Sequence, residues 1–151
     1  MGARLQPALI AILPFNQFDS TVNRKKSMPA INATQYVSVK TTTSDGTIAT
    51  GATYRTKAGF AYLVNVKAVN TDGVIMAAYE RIGAFMHSAA GTLTLVGSVT
   101  SVHTAESNAA PGDCTMDADD TNKDIRVRIT GDPGRTLRWN IYAEVVPTPT
   151  P

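Results

Sequence analysis

From residue 35 onward, apolar and polar positions alternate. In DIRVRIT (124–130), Ile125, Val127 and Ile129 share one phase, and Asp124, Arg126, Arg128 and Thr130 share the other. In TLRWNIYAEV (136–145), Leu137, Trp139, Ile141, Ala143 and Val145 alternate with Thr136, Arg138, Asn140, Tyr142 and Glu144. Successive side chains of a strand project to opposite faces, so each segment reads as a strand with one buried and one wet side. The intervening GDPG (131–134) carries turn chemistry, and a hairpin is predicted there. QYVSVKTTT aligns Val37 with Val39, and FAYLVNVKAV aligns Phe60, Tyr62, Val64 and Val66. TLTLVGSVTSV aligns Leu93, Leu95 and Val99 after a turn at 89–91, with Gly97 suggesting a bulge or a close backbone approach. TIATGATYR and CTMDA read as weaker strands.

IMAAYERIGAFMHS (75–88) is apolar in both phases: Ile75, Tyr79 and Phe85 fall on one face, and Met76, Ile82 and Met86 on the other. A helix would carry Gly83 in its interior at a cost of about 1 kcal/mol relative to alanine. A strand is therefore preferred. Its second apolar face suits a subunit contact, which makes Met76, Ile82 and Met86 candidate oligomer-interface residues.

Seven or eight short strands with turn chemistry between them predict an all-β fold. The expectation is an antiparallel β-sandwich, jelly-roll-like, over residues 35–146. An extended N-terminal arm, 1–34, precedes it, and a proline-rich tail, 147–151, follows. At 151 residues the chain is long enough for one domain with its own core. Charged residues make up only 17%, below the usual quarter, and the abundance of Thr, Ala and Val favours strands.

Net charge is +2, which makes no case for nucleic acid. The charge is concentrated in the arm, where Arg4, Arg24, Lys25 and Lys26 stand against Asp19, leaving a near-neutral body. The single cysteine, Cys114, rules out an internal disulfide and reads as a small buried residue. Synthesis in a reducing cytoplasm fits this.

Candidate chemistry is sparse. Asp113, Asp117, Asp119, Asp120 and Asp124 cluster within twelve residues, but the spacing does not follow the helix–loop–helix calcium pattern, so a solvated turn is expected and no metal site. Nucleophile-elbow, zinc-protease and phosphate-loop motifs are lacking, and only His87 and His103 are available as histidines. Glu80 and Glu144 lie inside predicted strands, where cross-strand pairing with Arg81 or Arg138 is the ordinary role. The expectation is a protein that is not an enzyme and uses no cofactor.

The arm is apolar first and basic afterwards, and it is broken by Pro7, Pro14 and Pro29. Its apolar run is too short for a membrane span and lacks a signal-cleavage pattern, so no membrane role is expected. Leu5, Leu9, Ile10, Ile12, Leu13, Phe15 and Phe18 are poorly suited to water, and Arg24, Lys25 and Lys26 follow them. These are candidate partner-binding residues. Burial of their side chains alone falls short of the cost of ordering some thirty residues. Main-chain hydrogen bonds, such as those made by adding a strand to a sheet edge, would have to contribute. The alternative is that the arm packs on its own domain.

The run AAYERIGAF…GTLTLVGSVTSV…DIRVRITGDPGRTLRWNIYAEV resembles a recurrent β-sandwich module of tailed-bacteriophage virion proteins. The shared features are an aromatic-x-Arg strand (Tyr79, Arg81), a TLVGSV strand (Thr94 to Val99) and a hairpin from Val127 to Trp139. The resemblance covers about residues 40–146 and brings no catalytic residues. It implies a virion structural protein. A module with a sticky arm and no fibrous shaft points to a capsid decoration (cement) protein on the outer capsid surface, made in the host bacterial cytoplasm. Its implied partners are the major capsid protein and other copies of itself, as a trimer. The alternative is a small tail- or head-fibre component that binds host receptor or glycan through loops such as 70–73 and 107–113.

Overall fold

A computed structural model of the chain describes residues 33–107 and 112–151. Eight strands run in the order β1 (Gln35–Thr43), β2 (Ile48–Arg55), β3 (Phe60–Thr71), β4 (Met76–His87), β5 (Leu93–Glu106), β6 (Asp113–Asp119), β7 (Asp124–Thr130) and β8 (Leu137–Pro149). They form a five-stranded sheet, β1-β8-β3-β4-β5, and a three-stranded sheet, β2-β7-β6, and every pairing is antiparallel. The predicted all-β sandwich is the observed fold, with its eight strands divided unequally between the layers.

The alternating phases build the core. Val64, Val66, Phe85, Leu137, Trp139, Ile141 and Val145 from the large sheet face Ile125, Val127, Ile129 and Met116 from the small one, all buried. Segment 75–88 is a strand, as its neighbours suggested. Ile75, Tyr79 and Phe85 point inward, and Met76 and Met86 stand exposed on the opposite side. Gly97 sits at φ +75° where the β4–β5 register shifts, and a Cβ added there would meet nothing within 4 Å, so of the two readings the bulge is the one the structure shows.

The hairpin predicted at 131–134 is not formed. β7 pairs with β2 and β6, whereas β8 pairs with β1 and β3 in the other sheet. The connection is a corner that carries the chain from one layer to the other. Gly131 lies at this corner under the β1–β2 turn, where an added Cβ would stand 2.1 Å from the Asp45 carbonyl oxygen. Alternation fixes which side of each strand is buried. It does not say whether consecutive strands pair or face each other across the core.

β8 also continues further than the proposed boundary at 146, with Pro147 buried and Pro149 opposite Phe60. The Thr150 N–H donates to the Gly59 carbonyl at 2.9 Å, so the ring nitrogens of Pro147 and Pro149, one residue out of phase, turn away from β3. They face the side where β1 has already ended, at the Gln35–Val145 pair. Proline is tolerated there because no ladder donor is needed.

Candidate interaction surface

The two outward faces of the sandwich differ. On the small sheet, Arg126 donates to Asp117 at 2.7 and 2.8 Å and to Asp119 at 3.0 Å, and Arg55 pairs with Asp124. Asp117 holds the Arg126 guanidinium above its ordinary pKa, and hydrogen bonds from Asn122 lower that of the Asp119 carboxyl. The acidic segment is therefore engaged by its own chain. Asp120 accepts from the Leu93 N–H at 2.6 Å and from Lys123, and Asp113 pairs with Arg81. Among the described residues, no group of three or more potential ligands is placed to hold a metal ion.

The outer face of the large sheet is different. The pairings place Val146 beside Leu63, Leu63 beside Ala84 and Ala84 beside Val96, a row of four apolar side chains across β8, β3, β4 and β5. Leu63 and Val96 are each 51% exposed and Val146 is 37% exposed. One pair further along, Ala61 stands between Thr148 and Met86. Together Ala61, Leu63, Ala84, Met86, Val96 and Thr148 line a shallow groove. On the other side, Asn65 faces Ile82, and the Asn65 Oδ1 is buried with no hydrogen-bond partner among the described residues.

Met76, Ile82 and Met86 all lie on this face of β4. Ile82 and Met86 flank the apolar row, while Met76 sits at the far end, beside the β3–β4 turn. Leu5, Leu9, Ile10, Ile12, Leu13, Phe15, Phe18, Arg24, Lys25 and Lys26 lie outside the described residues. Reading the sequence singled out neither Leu63 nor Val96 nor Val146. The available signal was an apolar residue in the polar phase of three separate strands, but their convergence depends on a register that periodicity does not supply.

The remaining candidates are structural. Cys114 is buried, and burial pushes its thiol pKa up to about 12. Thr56 uses its one hydroxyl proton on the Lys123 carbonyl (2.7 Å), so the buried His87 Nδ1, 2.9 Å away, must donate to Thr56 Oγ1. The expected pairing of Glu80 or Glu144 with Arg81 does not occur. Glu80 points outward to Asn65 and Lys67, whereas Arg81, the next residue, points into the core. There its guanidinium reaches the carbonyls of Cys114 (2.8 Å) and His103 (2.9 Å) and the hydroxyls of Ser101 and Thr104 (both 2.9 Å). It also lies over the Tyr79 ring at 5.1 Å, so the Tyr79-x-Arg81 pattern locks β5 and β6 onto β4. Trp139 is buried against Tyr79, whereas Tyr36 and Tyr142 stack at 5.7 Å on the solvent side of β1 and β8.

No protein-family model and no curated protein matches the chain. Among solved structures, the tailspike protein of Acinetobacter phage vB_ApiP_P1 aligns with 89% of this chain at 16% identity and a TM-score of 0.32. The chain spans about a quarter of the length of that tailspike, 25%.

Proposed function

We propose that this protein is a non-catalytic structural component of a tailed-bacteriophage virion. Its most specific role in this reading is capsid decoration. A homotrimer sits on the outer capsid surface, and the arm residues Leu5 to Phe18, with Arg24, Lys25 and Lys26, bind the major capsid protein and hold neighbouring subunits together. The β4 residues Met76, Ile82 and Met86 face another copy.

The observation that carries the reading is the contrast between the two outer faces. The small sheet satisfies its own charges, while the large sheet carries an apolar row that no other described residue covers, on the same outward face as the apolar side chains of β4. Such a face suits a protein partner. The apolar, basic arm and the resemblance of residues 40–146 to virion modules point the same way.

The stacked, exposed Tyr36 and Tyr142 favour a second reading, a small fibre component that binds a glycan or receptor, because sugar rings pack on exposed aromatic faces. Empty capsids assembled from the virus's major capsid protein separate the two. The decoration role predicts stoichiometric co-sedimentation of the full chain, a higher capsid disruption temperature, and loss of both in a variant lacking residues 1–34. A fibre component would leave capsids unchanged and would bind host cells instead.

A further inference from the structure

The apolar row has a specific size and place. Its exposed side chains amount to roughly 300–400 Å², about half of what each partner contributes to a standard stable interface. That is too little for a subunit contact by itself and suits one extended segment with a few apolar anchors. The row also lies at the end of the sheet where the described chain begins. Gln35 pairs with Val145, and the same register continued by one residue sets Thr34 beside Val146, the first member of the row. Strand pairing cannot simply continue from there, because Pro147 and Pro149 present no N–H to that edge.

The thirty-two residues ahead of Ala33 contain Leu5, Leu9, Ile10, Ile12, Leu13, Phe15 and Phe18. From Val146 to Val96 the row crosses three strand spacings, about 14 Å. The stretch between Phe18 and Thr34 can extend to about 50 Å, so every position of the row is within reach of the chain's own arm. A tether of this kind holds its segment at an effective concentration of about millimolar, well above that of any second copy in dilute solution.

We infer that, in the free protein, residues 5–18 of the chain's own arm lie across the outer apolar row Val146–Leu63–Ala84–Val96, so that arm and sheet shield each other until assembly. The seat itself does not depend on the assembly reading, which determines only what later replaces the arm. It is tested on full-length protein without capsids. Chymotrypsin cuts after Phe15 and Phe18, and Leu63→Glu should raise the initial rate of those cuts at least tenfold. Val74→Glu, in the exposed β3–β4 turn, should leave the rate unchanged. Equal rates in the two variants overturn the inference.

A second variant, Leu63→Cys with Phe15→Cys, should form an intrachain disulfide under mild oxidation. The buried Cys114 does not compete. No crosslink overturns the inference. An interchain crosslink also overturns the assignment to the chain's own arm and gives the row to a neighbouring copy.

Discussion

Arg81 Nε donates to the carbonyl oxygen of Cys114 at 2.8 Å, linking β4 of the large sheet to β6 of the small one. Arg81 is only 8% exposed, and its Nη1 also serves the His103 carbonyl where the β4–β5 register shifts. Arg81→Met keeps the aliphatic bulk but strips these acceptors of their donor. The expected loss is about 3 kcal/mol. Arg81→Lys should also destabilise, by about 2 kcal/mol, because an ammonium cannot reproduce the planar fork. Urea denaturation followed by circular dichroism reads both.

The corner at Gly131 predicts a contrast between two glycines. Gly131→Ala drives a methyl against the Asp45 carbonyl oxygen and the Thr43 side chain, so it should cost about 2–4 kcal/mol. Gly59 has φ +80° but open space around it, so Gly59→Ala should cost only the backbone term, about 1 kcal/mol. Similar losses for the two would contradict the packing of the β1–β2 turn over the corner.

Acid sensitivity follows from the carboxylates. Asp119 and Asp120 are held below the ordinary aspartate range, chiefly by hydrogen bonds from Asn122 and Lys123, as is Asp72 by the backbone N–H groups of Ile75 and Val74. A depressed folded pKa means that the unfolded chain takes up protons first as the pH falls. The stability these groups supply is complete above the unfolded value of about 4 and is lost as the pH falls through the folded values. Stability against urea should therefore be flat in this respect from pH 7 to about 5 and decline below pH 4. Asp120→Asn should make that decline shallower.

Cys114 should be inert in the folded protein. Its burial and raised pKa predict no reaction with a thiol reagent at pH 8 within minutes, and one equivalent of reaction once the chain is unfolded. Rapid labelling of the native protein would contradict the placement of β6 against the core.

Much of this architecture was legible in side-chain phase. The buried sets on β7 and β8, the two-sided character of β4 and the bulge at Gly97 all follow from a period of two and from the properties of glycine. Pairing was not legible, because Ile125–Ile129 and Leu137–Val145 would show the same alternation in a hairpin as they do across a core. For the same reason the apolar row stayed hidden. Leu63, Val96 and Val146 lie far apart in the chain, and only the register brings them together. Arg81 was visible as a charge in the inward phase of β4, yet its role depends on acceptors from β5 and β6 that no local pattern reveals.

The most direct test of the proposed virion role is to locate the protein on purified particles of a phage whose genome carries its gene, using gold-labelled antibody raised against the sandwich domain. The account predicts many labels distributed over the capsid surface of each particle. Label confined to the tail, or none on intact particles, would contradict capsid decoration.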